Sequence, residues 1–159
     1  MLFTWPVPKW NPKYSFNEPP RKFNSFRDNK TRKHAGCDLY APEGSPVLAI
    51  WHGRVVRVYE FYGKADAIEI DHGSIGLVRY GELIADESLD CGKLVTPAQQ
   101  IGVIARLQGL GNIHPMLHFE MYANTGKGKL TQPGNIYKRR NDLIDPTDFL
   151  TRLRSASLI

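Results

Sequence analysis

From residue 45 onward the chain is a succession of short β-type runs separated by turn residues, and this pattern constrains the fold more than any other feature. The runs cover Val47–Trp51, Arg54–Tyr59, Ala67–Asp71, Leu77–Tyr80, Gln100–Ala105 and Leu117–Tyr122. Turn signals rich in glycine lie between them, at 42–44, 53, 63, 72–73, 92 and 109–112. Several short strands at this spacing predict an all-β domain, a compact antiparallel β-sheet or barrel-like structure.

The two ends of the chain differ from this β-rich middle. Residues 1–33 are rich in Pro, Asn, Lys and aromatic residues. Because proline disfavours both helices and central strands, we predict an extended N-terminal arm pinned by its aromatics. Asp145-Pro146-Thr147-Asp148 is an acidic helix start followed by an apolar stripe, which predicts a short C-terminal helix. The arm (1–33) and a β domain (34–159) are expected to form a single domain overall.

Composition narrows the classes to which the chain can belong. Of its 159 residues, 42% are hydrophobic and 23% are charged, as in a folded globular domain. Lys and Arg outnumber Asp and Glu by 21 to 16, and the net charge of +5 favours anionic partners without choosing among them. No apolar run approaches the roughly 20 residues of a membrane span, so no membrane partner is predicted. Cys37 and Cys91 form no Cys-x-x-Cys pattern and are interpreted as small buried side chains, with a disulfide between them left open.

His34 and Asp38 form the first element with metal chemistry. An imidazole is followed four residues later by a carboxylate, and Gly36 between them permits a tight backbone. Both side chains can therefore point at one ion, and histidine with aspartate is an ordinary pairing for zinc. This spacing is common in proteins, so by itself it is a weak signal.

His118 belongs to the second element, the run Met116–Tyr122. A strand period of two divides this run into an apolar face and a partly polar face, namely Leu117, Phe119 and Met121 against Met116, His118, Glu120 and Tyr122. A rigid strand would present His118 on the partly polar face, where it suits the role of a third metal ligand. A histidine that is only hydrogen-bonded to a neighbour is the alternative.

Together these elements belong to a longer ordered set of motifs. The set comprises Trp5–Val7, His34–Val47, Gly53–Val56, Ile70–Gly73, Val95–Ile104, Leu117–Glu120 and Asp145–Leu150. In this order and over nearly the whole chain, the set resembles the lysostaphin-like (LytM-type) zinc metallopeptidases, a family that cleaves cell-wall peptides. The resemblance implies a compact antiparallel β fold with a zinc cleft. It also implies that His34, Asp38 and His118 hold Zn2+, with water in the fourth position.

The chain departs from the family pattern at two histidines. The family usually has a histidine two residues before its last ligand, where this chain has Met116. It also usually has a Tyr-x-His-Leu segment, where this chain reads Tyr80-Gly81-Glu82-Leu83. Methionine cannot move protons, so Met116 is given no acid–base role.

Two interpretations follow from these departures. In the first, Glu82 replaces the missing histidine as general base, and Tyr80, placed on the same strand face, donates to the oxyanion. His114, on a proline-containing turn, is a further candidate that would swing into the cleft. In the second interpretation the site binds zinc without catalysis, and the protein is a wall-binding or regulatory module. Retention of all three ligands favours the first.

Two other classes of protein are weaker fits. The segments Gly53–Val56 and Val95–Ile104 are similar to hairpins of biotinyl and lipoyl carrier domains, but no Met-Lys or Asp-Lys pair occurs at such a turn. The basic residues Lys127, Lys129, Lys138, Arg139 and Arg140 are interpreted as a solvated loop. No stacking pair or known motif accompanies them, so no nucleic-acid partner is predicted.

The family resemblance also implies partners and a place of action. The expected substrate is peptidoglycan, and an immunity or delivery protein is a further expected partner. The start Met-Leu-Phe-Thr-Trp-Pro lacks the features of a secretory signal. We therefore expect a protein made in the cytoplasm without a signal peptide, acting in the periplasm or cell wall after non-classical delivery as a toxin or phage lysis protein.

Overall fold

A computed structural model describes residues 3–126 and 128–157 of the protein. These residues contain eleven strands and one α-helix. The strands are β1 Phe26–Arg27, β2 Arg32–Lys33, β3 Cys37–Tyr40, β4 Pro46–Leu48, β5 Gly53–Tyr62, β6 Ala65–Asp71, β7 Leu77–Ala85, β8 Leu94–Val95, β9 Gln100–Ile104, β10 Met116–Tyr122 and β11 Leu143–Ile144, and the helix α1 is Thr147–Ser157. Each of the six runs predicted from the sequence overlaps one of these strands.

Nine of the strands form one antiparallel sheet in the described part of the chain. Its main order is β11-β10-β7-β6-β5-β8, and β3 pairs with β10, β9 with β7, and β4 with β9. The remaining strands, β1 and β2, form a separate hairpin. The prediction of an all-β antiparallel fold is confirmed, and the sheet is open and not a closed barrel.

The N-terminal arm packs into the same core as the sheet. Trp5, Val7 and Phe16 are buried in that core, and the ring of Trp5 lies 5.2 Å from that of Trp10. Arg154 of α1 covers the ring of Trp10 at 5.1 Å. Burial of each large apolar side chain contributes roughly 1.5–3 kcal/mol. The aromatics therefore hold the arm against both the sheet and the helix.

Strand β10 has the two faces that its sequence predicts. Leu117, Phe119 and Met121 lie in the main core. His118 and Glu120 point to the other face, and both are also buried. The polar face of β10 is thus covered by protein, which shields any charge placed there from water.

The C-terminal helix begins where the sequence predicts. Oδ1 of Asp145 accepts a hydrogen bond from the backbone N–H of Thr147 at 2.9 Å, which caps the helix, and Pro146 immediately precedes its first residue. Within residues 3–126 and 128–157, no helix is long and apolar enough to cross a membrane.

The two cysteines have different environments. Cys37 on β3 is buried and Cys91 is exposed, and both are free in the described part of the chain. The interpretation as a small buried side chain is correct for Cys37 and wrong for Cys91. Cys91 lies in the turn before β8, where its side chain points to solvent.

Candidate metal centre

The register of β3 against β10 places Asp38 directly opposite His118. His34 precedes β3, and its ring reaches the same point of the sheet. At Gly36 the chain passes so close to β10 that a Cβ atom would lie 2.3 Å from the carbonyl oxygen of Phe119. Glycine at this position therefore allows the backbone to bring His34 and Asp38 to one side chain of β10.

His34, Asp38 and His118 each direct one atom at a common point. Nε2 of His34 lies 3.1 Å from Oδ1 of Asp38 and 3.2 Å from Nδ1 of His118, and the last two atoms are 3.0 Å apart. We call these three atoms the donor triangle. In a tetrahedral zinc site with bonds of ~2.0–2.1 Å, neighbouring ligand atoms are about 3.3 Å apart. The donor triangle therefore has the size and the ligand types that a zinc ion requires.

The outer nitrogen of each imidazole is bound to an acceptor. Nδ1 of His34 donates to the carbonyl oxygen of Lys22 at 2.9 Å, and Nε2 of His118 donates to Oε1 of Glu120 at 2.8 Å. Each neutral ring therefore carries its proton on the outer nitrogen and turns a lone pair towards Asp38. Three lone pairs at this distance repel one another unless a proton or a metal cation lies between them, so the residues fit a bound metal ion.

Charge at the donor triangle is consistent with a site for a cation. Burial opposes charging of His118, but its hydrogen bonds to Asp38 and Glu120 outweigh burial and raise the pKa of His118 to about 9. Burial likewise opposes charging of Asp38, but His34 and His118 outweigh it and lower the pKa of that carboxyl. The site stabilises one positive charge, which a metal ion supplies in place of a proton.

Glu120 is the centre of the hydrogen-bond network behind His118. It is fully buried and also accepts hydrogen bonds from Nε of Arg139 at 2.8 Å, Nη1 of Arg79 at 3.2 Å and the hydroxyl of Tyr122 at 2.7 Å. Burial raises the pKa of Glu120, but Arg79 and then Arg139 outweigh burial and hold it well below its ordinary value. Glu120 therefore stays ionised and fixes the orientation of the His118 ring.

The prediction of a solvated basic loop is wrong for its two arginines. Arg139 is bound to Glu120, and Nε of Arg140 donates to Oδ1 of Asp142 at 2.6 Å, so both side chains are mostly buried. The physical reason is that buried carboxylates require positive partners. The lysines Lys129 and Lys138 are exposed as expected, and Lys127 lies outside the described residues.

Glu82 reaches the site because of a β-bulge in β7. Gly81 pairs with Ala67 and Leu83 pairs with Asp66, so Glu82 is the extra residue between two paired positions. Its φ of +66° is in the left-handed region, which L-residues seldom adopt. The bulge turns the carboxylate of Glu82 into the cleft beside the donor triangle.

The carboxyl group of Glu82 has unusual surroundings. Oε2 is buried and has no hydrogen-bond partner among the described residues. Burial, followed by the negative charge of Asp38, raises the pKa of Glu82 to about 7. A carboxyl group with such a pKa both accepts and releases a proton near neutral pH, which is the property that a general base needs.

The predicted oxyanion role of Tyr80 is wrong. Tyr80 pairs with Phe119 across the sheet and shares its core face, so its side chain is fully buried. Its hydroxyl oxygen accepts a hydrogen bond from the backbone N–H of Ile50 at 3.2 Å and lies 2.8 Å from Nε2 of His72. The bulge is the reason for the error, because it breaks the alternation that would put Tyr80 and Glu82 on the same face.

His114 does not replace a missing histidine in this structure. Its side chain is exposed and stacks on the ring of Tyr40 at 4.7 Å, with the ring of Tyr14 at 5.5 Å. It is absent from the described lining of the cleft, whereas Met116 is part of that lining. The expected movement of His114 into the cleft is therefore contradicted by its position between two tyrosines on the surface.

The cleft beside the donor triangle has a volume of about 680 Å3. Besides the triangle residues and Glu82, it is lined by aromatic, aliphatic and charged side chains, including Tyr40, Tyr59, Phe61, Ile113, Arg27 and Arg139. The lining contains both charged and apolar groups, so the cleft suits a ligand that has both polar and apolar parts.

Sequence reasoning missed the groups that orient the two histidines. Glu120 follows His118 by two residues on the same strand face, and this spacing was a usable signal for a hydrogen bond between them. No comparable signal exists for the carbonyl oxygen of Lys22, because a backbone acceptor twelve residues from His34 depends only on how the chain is folded.

Comparisons with known proteins show a family match and a shared fold. Residues 32–133 match the profile of Peptidase family M23. Among solved structures, a zinc-containing peptidase from Vibrio cholerae is 27% identical with a TM-score of 0.57, over 76% of this chain and 36% of that chain. The catalytic domain of the antimicrobial peptidase lysostaphin from Staphylococcus simulans is 21% identical with a TM-score of 0.61, over 82% of this chain and 89% of that domain.

A third structure, LytU, is 18% identical with a TM-score of 0.66, over 94% of this chain and 95% of that chain. At these low identities, lysostaphin and LytU are evidence for the fold alone. The chain spans about a third of the length of the Vibrio cholerae peptidase. No curated protein matches the sequence.

Proposed function

The chain belongs to peptidase family M23, and from this membership we propose that it is a zinc-dependent endopeptidase that cleaves a peptide bond in peptidoglycan. The observation that carries the proposal is the donor triangle, in which three lone pairs converge and both outer ring nitrogens are already bound. The description of one similar structure as a zinc-containing peptidase supports the choice of metal. The resemblance of the sequence motifs to those of cell-wall peptidases supports peptidoglycan as the substrate.

His34, Asp38 and His118 are the residues that would hold the zinc ion. When bound, zinc supplies Lewis-acid polarisation of the scissile carbonyl and lowers the pKa of water. The protein contributes the orientation of the ligands. Lys22 and Glu120 hold the two imidazole rings so that each lone pair points inward without rearrangement.

Glu82 is the proposed general base. Its carboxylate accepts a proton from the attacking water, and the resulting carboxylic acid later gives that proton to the leaving amine. The buried position of Oε2, its lack of a partner among the described residues and the raised pKa of the group support this role. No water shell has to be removed from that oxygen before it takes the proton.

The second candidate function is zinc binding without catalysis, in a wall-binding or regulatory module. It is favoured by the family resemblance, which assigns Met116 and Glu82 to the two positions where the family usually has histidines. Met116 lines the cleft, and its thioether cannot transfer a proton.

Incubation of the zinc-loaded protein with purified sacculi tests the proposal. We expect the wild type to release soluble muropeptides, with new amino and carboxyl termini identified by mass spectrometry. We expect His118→Ala to lose both zinc and activity. Glu82→Gln is expected to retain zinc and lose most of the activity, and Glu87→Gln, an exposed carboxylate, is the matched control.

Zinc binding and retention on sacculi without release of muropeptides would establish the non-catalytic function instead. Since the proposed substrate lies outside the cytoplasm, we also propose that the protein acts in the periplasm or cell wall. The immunity or delivery partner remains a prediction.

A further inference from the structure

Arg27 brings a positive charge from the N-terminal arm into the cleft. It lies on β1, outside the segment 32–133 that matches the family, and its side chain is 23% exposed. Nη2 lies 3.7 Å from Oδ2 of Asp38, the carboxylate oxygen that is not part of the donor triangle. The guanidinium group is therefore next to the candidate metal ligands.

Two backbone carbonyls hold the guanidinium group of Arg27 in place. Nη2 donates to the carbonyl oxygen of Pro20 at 2.6 Å, and Nη1 donates to that of Phe26 at 3.3 Å. A guanidinium group has five N–H donors. The distance to Asp38 is longer than a hydrogen bond, so donors remain for a ligand in the cleft.

The charge of Arg27 also acts on the proposed base. Burial is the largest influence on the pKa of Glu82 and raises it, and the positive charge of Arg27 is one of the influences that lower it. Arg27 therefore lies within electrostatic range of both Glu82 and Asp38. A group next to both the proposed base and the candidate metal ligands would also lie next to the peptide bond that is hydrolysed there.

The two residues that the sequence suggested for this role, and the other arginines of the cleft, are occupied elsewhere. The hydroxyl of Tyr80 is in the core, and His114 is stacked on the surface. Of the other arginines in the described cleft lining, Arg139 is bound to Glu120 at 2.8 Å and Arg32 to Asp28 at 2.8 Å. Arg27, in contrast, donates to two uncharged backbone carbonyls, and the carboxylate oxygen paired with it, Oδ2 of Asp38, is 3.7 Å away.

We propose that Arg27 is a catalytic residue that donates an N–H hydrogen bond to the carbonyl oxygen of the scissile peptide bond as negative charge develops on it. This inference rests on the proposed peptidase function. Arg27 thereby takes over, with a permanently charged donor, the oxyanion stabilisation for which this chain lacks the usual histidines.

The reaction balances without a further reactant. The water oxygen forms a bond to the carbonyl carbon, one water proton passes to the carboxylate of Glu82, and the C=O π pair moves onto the oxygen that Arg27 contacts. The C–N bond then breaks as the carbonyl re-forms, and the nitrogen takes the proton from Glu82. The products are one carboxyl group and one amine.

Kinetics on a soluble cross-linked muropeptide test the proposal. Arg27→Met should lower kcat by about 10²–10³-fold with KM and zinc content little changed, because the lost donor acts in the transition state. Arg27→Lys should recover part of the loss. Arg54→Met is the matched control, since that exposed arginine also donates to a backbone carbonyl, that of Gly92 at 3.0 Å, away from the cleft.

Two further measurements separate a catalytic role from a structural one. Added guanidinium ion should restore activity to Arg27→Ala and should not change Arg54→Ala. A phosphinic pseudopeptide, whose anionic tetrahedral phosphorus replaces the carbonyl carbon, should bind zinc-loaded wild type at least about 30-fold more tightly than Arg27→Met.

The outcomes distinguish the two proposals. If wild type is active and Arg27→Met retains kcat and phosphinate affinity, the role of Arg27 is refuted and the peptidase function stands. If wild type cleaves no muropeptide, the peptidase function is refuted, and the phosphinate titration decides whether Arg27 recognises a tetrahedral anion. Equal phosphinate affinity in wild type and Arg27→Met overturns the inference in either case.

Discussion

The molecule contains two buried histidine sites that differ in how their hydrogen bonds are completed. At the first, His72 donates from Nδ1 to the carbonyl oxygen of His52 at 2.9 Å and accepts from the hydroxyl of Tyr80 at 2.8 Å. The Tyr80 oxygen in turn accepts from the N–H of Ile50. Every polar atom of this His72 site has a partner of the opposite kind, so neither ring nitrogen needs a further ligand.

At the second site, the donor triangle, the hydrogen bonds made by the outer ring nitrogens leave three acceptor atoms facing one another. When both rings are neutral, the carbonyl oxygen of Lys22 and the carboxylate of Glu120 accept the ring protons, and no other donor among the described residues faces the inner nitrogens. The difference shows that buried histidines do not indicate a metal site by their burial or their number. What matters is whether the surrounding groups consume both ring nitrogens or leave lone pairs directed at one point.

The largest expected effect comes from removing one of the three atoms of the donor triangle. Asp38→Ala should weaken zinc affinity by at least about 10²–10³-fold, since the ligands of a protein zinc site share a binding free energy on the order of 10–16 kcal/mol. Sacculus hydrolysis should be lost together with the metal. His72→Gln should keep the zinc stoichiometry of wild type, as measured by competition with a chromophoric chelator. Equal zinc loss in both variants would remove the distinction between the two sites.

The next largest effect distinguishes the proposed base, Glu82, from the candidate metal ligands. Glu82→Gln should lower kcat by about 10²–10⁴-fold while zinc affinity stays near that of wild type, because the role proposed for Glu82 is proton transfer and its carboxylate does not belong to the triangle. Steady-state kinetics and metal analysis on the same preparation check this. Unchanged hydrolysis in Glu82→Gln would exclude glutamate as the base.

A smaller effect is expected from the group that orients His118. Glu120→Gln keeps an acceptor for the ring but loses its charge, and zinc affinity should fall by roughly 10–100-fold. The two arginines beside it lose their buried counter-ion, so the melting temperature should also fall. Zinc titration carried out well below the melting temperature separates the two effects. Wild-type affinity in a folded Glu120→Gln protein would contradict the role given to Glu120.

The smallest effect concerns the His72 site. Tyr80→Phe removes the donor to His72 and the acceptor of Ile50, and should lower the free energy of unfolding by about 1–3 kcal/mol without changing zinc content. Chemical denaturation measures the first quantity. A loss of zinc in this variant would show that the two sites are coupled.

The same site predicts a dependence of stability on pH. Burial lowers the pKa of His72, so the folded state favours the neutral ring. The free energy of unfolding that the neutral His72 ring contributes is fully present above the ordinary histidine pKa of about 6.5. This contribution is lost as the pH falls below that value. Unfolding free energies measured from pH 8 to 5 should fall less steeply in His72→Gln than in wild type.

The sequence predicted the elements of the fold because its apolar periodicity is local. The faces of β10 and the cap of α1 follow from residues within a few positions of one another, and the structure has both. The convergence of His34, Asp38 and His118 came from a family resemblance, since β3 and β10 are about 80 residues apart and their register is a long-range property.

The errors at Tyr80 and His114 have physical causes that a sequence does not display. A single extra residue in β7 reverses the face on which Glu82 lies relative to Tyr80, and nothing in Tyr80-Gly81-Glu82-Leu83 marks that residue. His114 is held by two rings that come from distant segments, Tyr14 and Tyr40. Such contacts exist only after the arm has packed.

By itself, then, the sequence determined which segments form strands and which side chains are candidates for metal and acid–base chemistry, because residue type and periodicity are properties of short segments. Only the tertiary structure decided which side chains direct their lone pairs at one point and which carboxylate enters the cleft. It also decided which charged side chain of the arm lies beside that cleft. Those outcomes depend on strand register, a β-bulge and the packing of the arm, each of which is fixed by contacts between residues far apart in the chain.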